Sequence, residues 1–204
     1  MSEVDRERWN TRYREGAYAG RDHPGDFLAA WLPQLSLLSD RPRAVDLACG
    51  AGRNSVYLAR HGWQVDAVDI SEVALGQVSA KAVAEDLPIQ CLRQDLELDL
   101  PRATEFLAPD TYDLAIMFRY TNPPLIGPLT RALKPGGYLI VESHMVTDQE
   151  VVGPSGDRHR VAPGELRQAA AGLEIVDYHE RLVVDPDGCS AALAQLVARK
   201  PGAE

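Results

Sequence analysis

The stretch Val45-Asp46-Leu47-Ala48-Cys49-Gly50-Ala51-Gly52-Arg53-Asn54-Ser55 decides how this chain is read. It begins as a short apolar strand carrying one acid, passes through a glycine turn, and ends in the first turn of a helix. Glycine has no Cβ, so Gly50 and Gly52 tolerate positive φ and let a ligand approach the backbone. Unpaired N–H groups at the start of the following helix add partial positive charge at the same place. In open α/β sheets, such a turn at the carboxyl end of a central strand is where nucleotide-like ligands bind. The spacing G-x-G-x-x-S, with Ser55 where a third glycine is usual, also fits a purely structural turn when taken alone.

Outward from this turn, strands alternate with helices. Ala44–Ala48 is read as strand one, Gln64–Asp69 as strand two, Ile89–Arg93 as strand three and Tyr112–Phe118 as strand four. The last is almost uniformly apolar, as expected for a strand buried on both faces. Tyr138–Glu142 is strand five, after a turn at Lys134-Pro135-Gly136-Gly137. Helices are expected over Asp26–Leu32, over Arg53–His61 with Gly62 as its stop, from Ser71 as N-cap to about Glu85, and over Pro124–Leu133. Residues 95–110 read as a surface connection with room for a short helix. This alternation predicts a doubly wound, mostly parallel α/β sheet with helices on both faces. After a polar stretch at 148–160, Pro163–Ala171 reads as a helix. Leu173–Asp185 and Ala191–Arg199 then read as strands joined by Asp185-Pro186-Asp187-Gly188, whose Asp-Gly pair signals a hairpin. The sheet is therefore expected to finish with an antiparallel strand.

Composition narrows the function classes. The 204 residues, 45% hydrophobic and 25% charged, suit a single globular domain. A helical lid or edge segment is expected over residues 1–42 and a Rossmann-like domain over 43–199. A net charge of −9 argues against binding bulk nucleic acid, which selects a basic face. Cys49, Cys91 and Cys189 are odd in number and form no C-x-x-C pair, so neither a disulfide framework nor a structural zinc site is expected. No apolar signal core and no run of about 18 apolar residues is present, so the expectation is a cytoplasmic protein off the membrane. His23, His61 and His179 are scattered, and no metal site is predicted.

Three acids surround the crevice above the turn. Asp69 ends strand two, seventeen residues after Gly52, where a carboxylate can accept hydrogen bonds from both hydroxyls of a ribose. Asp95 follows strand three, where it can accept from an adenine amine while the Leu96 N–H meets a ring nitrogen. Asp46 lies inside strand one, where an acid is costly without partners. The Gly50–Gly52 turn holds no Lys or Arg, and Arg53 is expected to point away along its helix. Carboxylates without a basic turn suit a nucleoside carrying positive charge better than a pyrophosphate.

With these pieces in order, the chain resembles a class I S-adenosylmethionine-dependent methyltransferase over about residues 5–199. The resemblance rests on Val45–Asn54, Val65–Ser71, Gln94-Asp95-Leu96, Tyr112–Ile116 and Leu133–Glu142. Within that superfamily it is similar to the small tellurite-resistance and thiopurine-methyltransferase-like group, through Trp9-Asn10-x-Arg12-Tyr13 and the Cys-Gly-x-Gly-Arg-Asn-Ser turn. The resemblance implies seven strands with one antiparallel. It implies that Asp46, Gly50, Gly52 and Asn54 belong to the cofactor site, with the glycines beside the methionine part. It places Asp69 on the ribose, Ile70 against adenine, and Asp95 with Leu96 on the adenine edge. Met117 and Phe118 would lie near the transferred methyl. Trp9, Arg12, Tyr13 and Tyr18 become candidates for closing over the cofactor.

Transfer from a sulfonium is an in-line displacement that needs alignment more than a covalent enzyme intermediate. A soft nucleophile such as sulfur or selenium needs no strong base, whereas a hydroxyl or ammonium does. Tyr120, Glu142 and His144 are the candidate catalytic groups after strands four and five. Arg119 is read either as an anion binder or as a solvated residue. Asn122-Pro123-Pro124-Leu125 resembles the Asn-Pro-Pro-aromatic motif of nitrogen methylases, but its last position is Leu and it lies beyond the strand tip. Two prolines starting a helix explain it more simply. The expected activity is therefore methyl transfer to a small-molecule acceptor. Two alternatives are a nicotinamide-dependent oxidoreductase, which would share the turn and Asp69 but lacks a third glycine and a Tyr-x-x-x-Lys pair, and a non-catalytic cofactor-binding protein.

Overall fold

The computed structural model describes residues 3–16, 18–185 and 188–202. Seven strands make one sheet: β1 (Arg43–Leu47), β2 (Gln64–Asp69), β3 (Ile89–Arg93), β4 (Tyr112–Phe118), β5 (Leu133–His144), β6 (Glu174–Val184) and β7 (Ser190–Arg199). Their order is β3-β2-β1-β4-β5-β7-β6. β1 to β5 pair in parallel, while β7 runs antiparallel to both β5 and β6. The expected doubly wound sheet with one antiparallel strand is therefore present. The strand order reverses between β1 and β4, which opens a crevice at their carboxyl ends.

The helices are α1 (Glu3–Arg14), α2 (Asp26–Trp31), α3 (Arg53–Arg60), α4 (Glu72–Glu85), α5 (Leu100–Ala103), α6 (Ile126–Ala132) and α7 (Glu165–Ala169). Two cores sandwich the sheet. Leu28, Leu58 and Trp63 meet Ile116 and Ile140 on one face, and Leu125, Leu129 and Leu166 meet Met117 and Val141 on the other. Every residue of β4 is buried, because both layers cover it. Local chemistry sets the helix ends. Ser71 Oγ accepts from the Ala74 N–H at 3.1 Å to start α4, which stops at Asp86 in the left-handed region. α3 gives way to Gly62 at φ +86°.

Several boundaries differ from the sequence reading. Ala48 lies outside β1 with φ +55°, already part of the turn. Lys134–Gly137 do not break the chain before β5. They bulge within it, since Tyr112 pairs with Leu133 while Leu114 pairs with Tyr138. Close approach forces Gly137 here: a Cβ would lie 3.0–3.2 Å from the carbonyls of Lys134, Tyr112 and Asp113. The helix expected over Pro124–Leu133 is a 3-10 turn at Pro123–Leu125 followed by α6, and Leu133 belongs to β5. The helix expected over Pro163–Ala171 is shorter, with Gly164 at its cap. The hairpin between β6 and β7 is present, with Asp185 N–H donating to Cys189 O at 2.9 Å; Pro186 and Asp187 of its expected turn lie outside the described residues. Among the described residues no helix is long and apolar enough to cross a membrane.

Candidate functional site

β1 leaves the sheet through Ala48 into Gly50 at φ +56° and Gly52 at φ +78°. The Cys49 N–H donates to Val68 O and the Gly52 N–H to Cys49 O, both at 3.0 Å, which closes the turn. The two glycines serve different ends. A Cβ on Gly52 would lie 2.6 Å from Cγ2 of Val78, so its absence lets the turn sit against α4. A Cβ on Gly50 would lie 2.6 Å from the Tyr13 hydroxyl, so its absence leaves room for what covers the turn. Burial holds the Cys49 thiol well above its ordinary range, with Asp69 and Asp46 adding to the effect, so it stays protonated.

Asp69 is 7% exposed at the tip of β2. Its two oxygens each accept a backbone N–H at 2.9 Å, from Gly50 and from Ser71. These bonds orient the carboxylate and leave lone pairs toward the crevice. Burial still raises its pKa, with the backbone donors working against that shift. Ile70 beside it is partly exposed. Beyond β3, Asp95 accepts the Glu97 N–H at 2.9 Å, and Leu96 is buried with its carbonyl accepting from Asn122 Nδ2 at 3.0 Å. The Asn of the Asn-Pro-Pro stretch thus ties the loop after β4 to the loop after β3.

Several expected site residues are placed otherwise than the resemblance implied. Asp46 is 1% exposed and presents no surface to the crevice. It accepts from Ser55 Oγ at 2.6 Å, so it braces the start of α3 from beneath, and burial pushes its carboxyl up to about 7. Asn54 is also enclosed, its Oδ1 accepting the Gly25 N–H at 2.9 Å and fixing the loop before α2. Met117 is completely buried in the core toward α6 and does not reach the crevice, because β4 alternates sides and the opposite neighbour, Phe118, faces α2. The Phe118 ring lies against Gly25, where a Cβ would come within 3.0 Å. Arg12 is exposed, stacked over Trp9 and Tyr18 at 5.1 and 5.7 Å, on the outside of the covering segment.

Tyr13 is the aromatic that reaches inward. It is buried against Gly50, with Trp9 and Tyr18 around it, and burial and the Asp69 carboxylate raise its pKa. The segment is anchored by Asn10, which is fully buried. Its Nδ2 donates to Glu72 Oε1 at 2.9 Å and its Oδ1 accepts from Ser71 Oγ at 2.7 Å. Asn10 stood in the quoted Trp-Asn-x-Arg-Tyr stretch but carried no expected role, since its partners are some sixty residues away.

Past β4 and β5 the groups are already engaged. Arg119 is ion-paired rather than simply solvated: Nε donates to Glu142 at 2.6 Å and Nη2 to Asp185 at 2.7 Å. Its φ of +59°, uncommon for a non-glycine residue, is held by these contacts and by its N–H on Glu142 O at 2.7 Å. Glu142 also accepts from Gln195 Nε2 at 2.7 Å, and Gln195 Oε1 accepts from Arg181. The Tyr120 hydroxyl donates to Glu97 at 2.6 Å, and burial with that carboxylate raises its pKa. His144 is 8% exposed and its Nδ1 has no hydrogen-bond partner among the described residues. Burial, then Arg119 and Arg160, hold its imidazole down to about 4, so it is neutral and a weak base at neutral pH. Arg53 does not point away: with Arg119, Glu142 and Asp185 it lines a narrow cleft beside the loop at His23–Gly25. The loop carrying Arg158 and His159 is exposed.

The family model for tellurite resistance protein TehB matches residues 37–184, well over half of the chain. The chain belongs to the TehB family. Its relatives include hemagglutinin 1 of Eikenella corrodens, 28% identical over 78% of this chain and 55% of that protein. A probable S-adenosyl-L-methionine-dependent methyltransferase TehB of Haemophilus influenzae is 26% identical over 69% of this chain and 49% of that one. The chain thus spans about half the length of the curated relatives it matches. The crystal structure of TehB from Haemophilus influenzae superimposes with a TM-score of 0.69 at 24% identity, over 93% of this chain and 66% of that chain. The family is one of S-adenosyl-L-methionine-dependent methyltransferases, which removes the nicotinamide reading of the glycine turn.

Proposed function

We propose that this TehB-family chain transfers the methyl group of S-adenosyl-L-methionine to a small, soft nucleophile such as a thiol or a selenium or tellurium oxyanion. The observation that carries the donor assignment is Asp69, oriented by two backbone N–H bonds beside a glycine at positive φ that Tyr13 covers. The residues fit the donor chemically. Gly50 leaves the backbone approachable, Asp69 has lone pairs for ribose hydroxyls, Ile70 flanks the base, and Asp95 with Leu96 stands where an adenine edge would be read. When bound, the donor supplies an electrophilic methyl on a sulfonium.

The chain's own part is alignment and exclusion of water. Tyr13, flanked by Trp9 and Tyr18, covers the turn from the lid segment 1–42, which Asn10 anchors. The acceptor class follows from the groups that are not available as bases. Glu142 is committed to Arg119 and Gln195, Tyr120 donates to Glu97, and His144 is held near pKa 4. A nucleophile that reacts at neutral pH without proton removal suits such a site. The acidic balance disfavours bulk nucleic acid as acceptor, and three scattered cysteines with no C-x-x-C pair suit a cytoplasmic setting.

Calorimetry with S-adenosylhomocysteine should give a saturable site, weakened by Asp69→Ala without a change in far-ultraviolet circular dichroism. Incubating donor with thiols, selenite and tellurite should yield methylated product. A protein that binds S-adenosylhomocysteine but methylates none of a panel extended to amines and hydroxylated acceptors is a non-catalytic binder, and the activity assigned here fails.

A further inference from the structure

β6 is the outer strand of the sheet, and among the described residues no strand pairs with its free edge. Soluble proteins usually blunt such an edge with a short strand, a proline or a lysine, because its row of N–H and C=O groups is a template for another strand. Glu174–Val184 has none of these: it runs for 11 residues without Pro or Lys. Val176, Leu182 and Val184 are 45%, 51% and 65% exposed along it. A bulge between Ile175 and Asp177 leaves Asp177–Val184 in unbroken register with β7.

The ladder decides which backbone groups are free. The Asp185 N–H donates to Cys189 O, so these two residues form a hydrogen-bonded pair. Antiparallel partners alternate between hydrogen-bonded and non-hydrogen-bonded pairs. Counting back from Asp185, the residues Val183, Arg181, His179 and Asp177 bond β7, whereas Val184, Leu182, Glu180 and Tyr178 turn their N–H and C=O outward. The Ala192 carbonyl agrees: it accepts from the Met145 N–H, on the β5 side, and not from Leu182 opposite.

A second copy running antiparallel keeps this alternation when the two-fold axis passes through one residue. An axis at Asp177, Glu180 or Arg181 sets like charges face to face, which destabilises a sheet. At Tyr178 it sets Val176 against Glu180 and Ile175 against Arg181. At His179 it sets Asp177 against Arg181 twice over, with Val176 against Leu182 beyond them, and the whole of β6 overlaps. An axis nearer either end shortens the ladder. Arg181 is exposed and steadied by bonds from Nε and Nη2 to Gln195 Oε1 at 3.2 and 2.9 Å, and Asp177 lies 2.9 Å from the imidazole of its own His179.

We propose that β6 is a self-complementary docking edge: two copies of this chain pair antiparallel through it, two-fold about His179, with Asp177 of each opposite Arg181 of the other. A ladder of this kind buries less than a standard interface, so the dimer is weak and concentration-dependent. Neither the methyl donor nor the acceptor enters the argument.

Sedimentation velocity from about 1 µM to about 1 mM, where small interfaces dissociate, reads the dimer directly. The wild type should pass from monomer to dimer across that range. Asp177→Arg or Arg181→Asp sets like charges at both contacts and should weaken dimerisation on the order of tenfold. Mixed in equal amounts, the two single variants should regain a dimer, since each then meets its opposite charge. His179→Cys should cross-link to its own copy under mild oxidation, seen by mass spectrometry as a peptide joined to itself, because facing residues of a non-hydrogen-bonded pair lie within disulfide reach. Leu182→Cys, which faces Val176, should not. The cross-link decides the register should a charge variant fail to fold. A wild type that stays monomeric throughout the range leaves the edge to a different occupant and overturns the proposal. A dimer that ignores both charge changes, or that mixing does not rescue, overturns it too.

Discussion

Gly50 and Gly52 sit one residue apart in the same turn, both at positive φ, yet the structure predicts different penalties for the same substitution. Either change to Ala places a side chain in the left-handed region, at about 1–2 kcal/mol. At Gly52 the new Cβ meets Val78 at Cγ2, Cγ1 and Cβ, at 2.6, 3.1 and 3.3 Å. Val78 is β-branched, fully buried and in the middle of α4, so it has little room to give. Overpacking of this kind adds about 1–3 kcal/mol, for a total of about 2–5 kcal/mol. At Gly50 the Cβ meets only the Tyr13 hydroxyl at 2.6 Å, and the next atom of that ring is at an ordinary 3.5 Å. The hydroxyl is the far end of a side chain on a covering segment, so the segment shifts and the expected cost stays near the strain alone. Combining Gly50→Ala with Tyr13→Phe removes the close atom and should return Tyr13's ring to its place. Urea unfolding followed by tryptophan emission separates the two effects: Trp63 is buried in the core, and Trp9 lies beside Tyr13. Gly50→Ala should alter Trp9 emission in the native state, Gly52→Ala should mainly lower the midpoint, and Tyr13→Phe should restore the native spectrum of Gly50→Ala. Equal destabilisation by the two alanines, with no rescue by Tyr13→Phe, would refute the distinct roles given to the two glycines.

Four other outcomes follow from buried groups. Arg119→Met should destabilise by about 3–5 kcal/mol in chemical denaturation, because it leaves Glu142 buried with only Gln195 as donor. Asp46 has a folded pKa raised from 3.8 to about 7, so the folded state holds more protons across that range and this group lowers stability as pH rises. Asp46→Asn should therefore flatten the decline between about pH 4 and 7 in melts taken across pH; an unchanged profile would count against the burial argument. His144 works in the opposite sense: its folded pKa lies below the ordinary 6.5, so stability falls as pH drops from there toward 4, and His144→Phe should weaken that acid sensitivity. Asn10→Ala should cost about 1–3 kcal/mol and loosen the covering segment, read as faster proteolysis within residues 3–16.

Much of the fold was legible because its signals are local. β2, β3, β4 and α4 fall on the residues read from apolar runs and from Ser71 as a cap, since strand burial and capping depend on neighbours a few positions away. The Lys134–Gly137 bulge was misread as a break because its chemistry is that of a turn, and only pairing with β4 carries it through the ladder. Among site residues, Gly50, Gly52 and Asp69 stand where a turn and a strand tip put them. Met117 was misplaced because a strand tip gives position along the sheet but not which face remains open. Asp46 was correctly seen as a buried acid in need of partners, but its partner, Ser55, came from the helix it supports.

The sequence by itself determined the order of strands and helices, the crevice above Val45–Ser55 and the acids at its edge, because periodicity and glycine geometry act over a few residues. The tertiary structure alone decided what faces that crevice. It set Tyr13 over Gly50, tied Asn10 to Ser71 and Glu72, and locked Arg119 between Glu142 and Asp185. Such contacts join residues 23 to 66 positions apart, so they exist only once the fold has brought those segments together.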